Sequence, residues 1–268
     1  GGLLTTSTSN TAVVLTTTSG GIVDGGATYV DVVAASGRLV IDAVTGIGAA
    51  GAAALDLSTT TSLAADLSGA GNIYIDNAAT GAVNVTSMTV SGAGSIDYEQ
   101  TGNQQLTLTT VTVSDGDITI NNTGGTSADV LIGAVTADTT NDTVTINAAG
   151  SINDAASDSV ADITSQVVDL DAVEGIGNTR AIELASVATI TADTTNGNID
   201  IDNAADEATT VTSMTTGTGN ITYDQTGNQA LALTLVTVTN GDISISDAGG
   251  TGADITVYDI NGDTTDGV

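Results

Sequence analysis

The sequence repeats itself on two length scales, and this limits the fold more than any other property of the chain. The segment Gly71-Asn-Ile-Tyr-Ile-Asp-Asn-Ala-Ala79 returns 126 residues later as Gly197-Asn-Ile-Asp-Ile-Asp-Asn-Ala-Ala205. Val85-Thr-Ser-Met-Thr89 returns at the same offset as Val211-Thr-Ser-Met-Thr215. Tyr98-Glu-Gln-Thr-Gly-Asn-Gln104 returns as Tyr223-Asp-Gln-Thr-Gly-Asn-Gln229, now 125 residues on. Inside each long copy a shorter unit recurs: Gly, then Asn, Asp or Ser, then Ile-x-Ile or Ile-x-Tyr. It starts at Gly71, Gly94 and Gly116, and again at Gly197, Gly219 and Gly241, a spacing of 22 or 23 residues. A fixed period of this length suits one coil of a solenoid, in which each repeat packs only on its neighbours.

The long copies divide the chain into residues 1–140, about six coils, and residues 141–268, which continue the same rod. Weaker matches join Gly46-Ile-Gly48 to Gly175-Ile-Gly177, and Gly262-Asp-Thr-Thr265 to Ala137-Asp-Thr-Thr140. The second pair leads the reader to expect that the array continues past Val268. With no Met start and no signal peptide, the chain reads as a mature segment of a longer protein.

Composition narrows the fold to one with a thin core. Hydrophobic residues make up 40% of the chain, dominated by Val, Ile, Leu and Ala, and the only aromatics are five tyrosines. A β-sandwich or barrel of this length ordinarily fills its thick interior with large side chains. Tandem immunoglobulin-like domains would also leave the short period unexplained, because the strands of a sandwich face different neighbours. The expected fold is all-β: a parallel β-solenoid (β-helix) with coils of about 22 residues. Each coil should hold two or three short alternating strands, such as residues 198–202 and 209–215. Gly and Asn supply the corners, where positive φ is needed. Ile73, Ile96 and Ile118 should then form one interior ladder, and Ile199, Ile221 and Ile243 another. About twelve coils stacked at ~4.8 Å give a rod roughly 55 to 60 Å long.

The residues that are missing exclude whole classes of chemistry. There is no Cys, His, Lys, Phe, Trp or Pro, and the only cations are Arg38 and Arg180. Without Cys and His there is no disulfide framework, thiol nucleophile, Ser-His-Asp triad or ordinary zinc site. Without Lys there is no Schiff base and no Lys-Asn cross-link. A net charge of −30 repels nucleic acid and anionic membrane surfaces and makes cations the natural small partners. The least polar stretch, residues 43–57, is interrupted by Thr45 and glycines and falls short of the ~20 apolar residues of a spanning helix, so no membrane insertion is expected.

Period and composition together resemble those of filamentous-haemagglutinin-like adhesins and other giant bacterial β-strand-repeat surface proteins. The resemblance spans nearly the whole chain and rests on periodicity rather than on a diagnostic motif. It implies an extracellular or cell-surface structural segment: an adhesin shaft, sheath or biofilm-matrix fibre that self-associates into filaments. Cell-surface or polysaccharide ligands are the partners it implies.

Several motifs carry a sharper reading beside a plain one. Gly46-Ile-Gly-Ala-Ala-Gly51 matches a dinucleotide fingerprint, with Asp66 twenty residues beyond Gly46. The second copy reads Gly175-Ile-Gly-Asn-Thr-Arg180, however, and no βαβ pattern surrounds either, so a glycine-rich corner is expected. Asp259-Ile-Asn-Gly-Asp263 resembles the first half of an EF-hand loop, which makes Asp259, Asn261 and Asp263 the candidate ligands for calcium. Thr264 stands where the loop glycine belongs and no Glu follows at the twelfth position. Asp76, Asp97, Asp117, Asp200, Asp202 and Asp242 fall at distances that suit the acid pair of a glycoside hydrolase. They also recur with the coil, as solvated turn acids would.

The blocks around Tyr98 and Tyr223, with Gln100, Asn103, Gln104, Gln225, Asn228 and Gln229, fit a coil corner held by amide ladders better than a sugar-contacting stripe. Asn-x-Thr sequons at Asn84, Asn121, Asn141 and Asn220 arise readily in so Thr-rich a chain. The sequence thus points to a structural segment that is not an enzyme, with no catalytic residue and no cofactor beyond calcium. A carbohydrate-binding or carbohydrate-cleaving β-helix is the alternative.

Overall fold

The computed structural model describes residues 3–9, 11–26, 30–34, 37–58, 60–156 and 158–262. The chain forms the expected parallel β-solenoid, with about 11 turns and coils about 23 residues apart. Strand accounts for 56% of it, and no helix occurs among the described residues, so none is long and apolar enough to cross a membrane.

Every strand pairing is parallel and joins strands about one coil apart, while strands consecutive in sequence usually fall on opposite sides of the rod. Two sheets result, of 14 and 15 strands. The first carries Ile73–Ala78, Ile96–Thr101, Ile118–Asn122 and Thr143–Ala148 in succession. The second carries Ser62–Leu67 and the long strand Val83–Ala93, and later Ile199–Ala204, Ile221–Thr226 and Ile243–Ala248. The long strand is followed one coil on by two short ones, Leu106–Leu108 and Val111–Asp115, both paired to it. Thr209–Thr218, its counterpart, is likewise followed by Leu231–Leu233 and Val236–Asn240.

Both interior ladders form as the short period predicts: Ile73 pairs with Ile96 and Ile96 with Ile118, and Ile199 pairs with Ile221 and Ile221 with Ile243. Coils average slightly more than the marker spacing because those between the two copies are longer. Ile118 pairs with Val144 and Val144 with Val168, separations of 26 and 24 residues. The alternating burial of strands such as Ile96–Thr101 puts β-branched side chains inside, where stacking fills a narrow core without large rings. Tyr98, Tyr223, Met88 and Met214 are the bulkier or more flexible hydrophobic side chains among the fully buried aliphatic ones of the described residues.

The two long copies lie half a coil out of phase. From Ile73 the first-sheet ladder passes through Ile96, Ile118, Val144, Val168 and Ile190 before the chain crosses to Ile199 on the second sheet. The offset of 126 residues therefore spans five and a half coils, and equivalent strands face opposite sides of the rod.

The corners explain the glycine marker. Gly94, Gly116, Gly219 and Gly241 have φ between +132° and +153°, and a Cβ on any of them would strike the carbonyl oxygen of the marker glycine one coil earlier. Only glycine allows backbones to stack this closely. The residue after each marker ties the coils together. Asn72 Oδ1 accepts from the Ser95 amide (2.8 Å), and Asn198 and Asn220 accept in the same way from the amides of Asn220 and Asp242 (2.9 Å each).

Candidate functional site

A buried polar column runs inside each copy, built by the inward positions of the marker strands. In the first copy Asn77, Gln100 and Asn122 stack in register, with Leu57 before them and Ala148 after. In the second, Leu184, Asn203, Gln225 and Asp247 repeat the column. Asn77 Nδ2 donates to the Tyr98 phenol (3.1 Å), which donates to Gln100 Oε1 (3.0 Å). Asn203, Tyr223 and Gln225 make the same chain at 3.0 and 2.9 Å. Gln100 and Gln225 then donate to the carbonyls of Gln104 and Gln229, turning the corner.

This corrects part of the expectation. Gln100 and Gln225 lie inside the rod, while Gln104 and Gln229 stay on the corner. Tyr98 and Tyr223 are fully buried, so neither ring is available to stack on a sugar. Burial drives both phenols well above their ordinary pKa. Asn103 and Asn228 do sit at corners, with φ of 56° and 60°, and accept from the amides of Ser127 and Gly252.

Outward positions carry the acids, which also stack. Asp56 pairs in register with Asp76, and Asp76 with Glu99. Asp202 stands between Glu183 and Asp224. Asp97, in contrast, stands in register with Tyr74 and Thr119, and Asp200 with Thr222, so those two have no acid beside them in the ladder. Partial burial first, then the neighbouring carboxylates, raise the pKa of Asp76, Asp200 and Asp202. Asp97 is raised by burial alone. Asp117 Oδ1 accepts from the Thr143 amide and the Asp242 amide donates to Asn220, which makes both corner ties.

The remaining sequence candidates resolve into structural roles or stay apart. Asp66, the ribose-binding position of the fingerprint reading, has Oδ1 clasped by the hydroxyls of Ser87 and Thr89, both at 2.7 Å. Asp193 is clasped identically by Ser213 and Thr215. Gly46 to Gly51 forms a corner around Ile47, which bridges Ile22 and Ile73 inside the rod, and a Cβ on Gly48 would strike the Tyr74 carbonyl. Asp259 accepts from Asn261 Nδ2 at 2.7 Å, both exposed, while Asp263 lies outside the described residues. Three sequon asparagines, Asn84, Asn121 and Asn220, accept hydrogen bonds from a neighbouring coil.

One acidic group breaks the periodicity, and sequence reading missed it. Carboxylate oxygens of Asp154, Asp162 and Glu183 all lie within 4.8 Å of one another. Asp154 ends the strand Ser151–Asp154, Glu183 sits on Ile182–Ala185, and the loop between Asp154 and Ile163 brings Asp162 alongside. The Asp162 backbone donates to the Glu183 carbonyl (2.8 Å) and the Glu183 amide returns to Asp162 Oδ2 (3.0 Å). Burial, and then the neighbouring carboxylates, raise Asp162 far above the usual carboxylate range, and burial raises Glu183 as well. The signal available in sequence was position alone: these acids lie in the stretch between the copies, where the period does not fix what a residue does.

Beside this group runs a groove of about 320 Å³ lined by Glu183, Leu184, Asp202, Ala204 and Asp224. A second, of about 420 Å³, crosses several coils over Ala148 and Ala172 with Asp171 and Asp193 at its rim. Neither lining includes an aromatic residue. No protein-family model matches the chain, and no curated protein or solved structure is significantly similar to it.

Proposed function

We propose that this chain is a structural segment of an extracellular repetitive protein, a rod whose task is length and stiffness, as in the adhesin shafts, sheaths and matrix fibres it resembles. The observation that carries this reading is where the repetition sits. Inward residues of the marker strands recur between copies almost unchanged: Ile73, Ile75 and Asn77 as Ile199, Ile201 and Asn203, and Ile96, Tyr98 and Gln100 as Ile221, Tyr223 and Gln225. Outward residues of the same strands recur only in part: Asp76, Ala78 and Thr101 return as Asp202, Ala204 and Thr226, while Tyr74 becomes Asp200, Asp97 becomes Thr222 and Glu99 becomes Asp224. A surface that reads a ligand at each repeat would repeat its outer side chains. Here the scaffold residues of these strands repeat as a set, and the outer ones at only some positions.

We propose self-association as well, because stacked strands present unpaired edges at any axial face that is not capped. Ile255, Val257 and Ile260 at one end, and Leu3, Leu4 and Val14 at the other, are exposed on strands with an unpaired edge. Further coils or a second copy would cover them, and head-to-tail stacking of copies propagates as an open filament. A carbohydrate-cleaving reading could draw on the Asp154, Asp162 and Glu183 group, or on Asp76, Asp97 and Glu99, which line a small pocket with Tyr74. The carboxylate oxygens of the first group lie within 4.8 Å of one another, closer than the ~5 to 10 Å that a glycosidase pair straddles.

Electron microscopy of the purified chain, with millimolar calcium and with chelator, tests the proposal. Rods about 5 to 6 nm long at ~4.8 Å per coil, or filaments built from them, are expected in both conditions. Compact globules, or turnover of an acidic or neutral polysaccharide, would remove its basis.

A further inference from the structure

The two polar columns differ at their last member, and that difference assigns a role to Asp247. In the first copy Asn122 closes the column. Its Nδ2 donates to the carbonyls of Gln104 and Asp129, both at 3.0 Å, and its Oδ1 accepts from Gln100 Nε2 at 3.3 Å. The second copy preserves these surroundings. Gln225 Nε2 donates to the Gln229 carbonyl as Gln100 does to Gln104, and Leu231 binds the Asp254 carbonyl as Leu106 binds that of Asp129. At the place of Asn122, in register with Gln225, stands Asp247. A carboxylate there faces a corner that presents acceptors, and it has no hydrogen to give them. Both Asp247 carboxylate oxygens are shielded from solvent and lack a hydrogen-bond partner.

We propose that Asp247 carries a proton in the folded rod and donates it to one of the two corner carbonyls, of Gln229 or Asp254, whose counterparts Asn122 reaches with its two amide hydrogens, so that closure of the coil spanning residues 243–261 is proton-dependent. Burial and the Asp254 carboxylate favour the neutral form. Of the groups facing Asp247, the Asp254 carboxylate stands at the corner before Ile255–Val257; the strand Ile221–Thr226 adds the Tyr223 phenol and the Gln225 amide, the latter acting in the opposite sense. The chain's two arginines lie on earlier coils, Arg38 in Arg38–Ala43 and Arg180 just before Ile182–Ala185. Burial first and Asp254 second raise the Asp247 pKa, against a lowering contribution from Gln225. A group whose folded pKa is raised contributes its stability at low pH and loses it as pH rises through that value.

Hydrogen exchange at the amides of 243–248, corrected for the intrinsic rate at each pH, reads this coil directly. At pH 8 Asp247→Asn should protect them roughly tenfold or more over the parent, the cost of one unmet buried hydrogen bond. At pH 4 the advantage of Asp247→Asn should shrink. Asn122→Asp provides a second reading on a coil covered from both sides: protection around 118–122 should fall at pH 8 and return at pH 4. An Asp247→Asn effect of the same size at both pH values would overturn the proposal. So would rescue of the parent at pH 8 by calcium alone, which would mean that a cation takes the place of the proton.

Discussion

Tyr98 and Tyr223 hold the same place in the two long copies, 125 residues apart, and lie on opposite sheets of the rod. Each phenol accepts from an asparagine one coil earlier and donates to a glutamine on its own strand. Tyr98→Phe or Tyr223→Phe leaves two buried amide groups short of a partner and should cost about 1 to 3 kcal/mol. The tyrosines are roughly 26 Å apart along the axis at ~4.8 Å per coil, so the double variant should lose the sum. Urea unfolding followed by circular dichroism measures this, and a neutral Tyr98→Phe would show that the column is not satisfied as described.

The marker glycines make a sharper prediction. Gly94→Ala and Gly219→Ala place a methyl group against the carbonyl of Gly71 or Gly197 at a φ that disfavours any side chain. Each should destabilise the rod by at least about 2 kcal/mol. At Gly25 a Cβ meets nothing within 4 Å, and Gly25→Ala should stay within about 0.5 kcal/mol of the parent. Equal losses at all three sites in thermal unfolding would refute the stacked-corner account.

What the sequence disclosed followed from strict periodicity. The ladders through Ile96 and Ile221 were legible because strands stacked in register repeat their inward residues. The half-coil phase between copies was not, because it depends on coils such as that from Ile118 to Val144, which carry no marker and vary in length. The interior placement of Gln100 had a signal that reading the block as a corner passed over. Ile96, Tyr98 and Gln100 alternate, and a period of two puts all three on one face. The Asp154, Asp162 and Glu183 group had no comparable signal, since only a loop's path brings Asp162 to the other two.

Acid should harden this rod. Asp56, Asp76, Asp169, Asp171, Asp200 and Asp202 have pKa values raised first by burial and then by neighbouring carboxylates. The folded chain therefore binds more protons than the unfolded one between the ordinary carboxylate pKa and the raised values. Stability should grow as pH falls from 7 through that window, and with 32 carboxylates against 2 cations few ion pairs exist to be lost. Thermal midpoints between pH 7 and pH 4.5 provide the check, and a midpoint that falls steadily with pH would contradict it.

Ionic strength should act in the same direction. Stacked like charges such as Asp76 and Glu99 repel across one coil spacing, and salt screens them. The thermal midpoint should rise between 0.02 and about 1 M sodium chloride, with the Debye length shrinking from tens of ångströms to ~3 Å. Calcium and magnesium at equal concentration should stabilise equally if they only screen. A saturable advantage for calcium would instead restore the Asp259 and Asn261 segment, or the Asp154 group, as a specific site.

In the proposed function the interior scaffold, and not the outer surface, is what selection keeps. Replacing the outward residues Tyr74, Asp97, Glu99, Asp200, Asp202 and Asp224 together by threonine changes both marker faces and leaves every inward ladder in place. Electron microscopy of that variant beside the parent is the most direct test. Rods or filaments of unchanged width, at least as long as the parent's, are predicted. Assembly lost by a variant that still shows the parent's circular dichroism spectrum would contradict the account and return function to the surface.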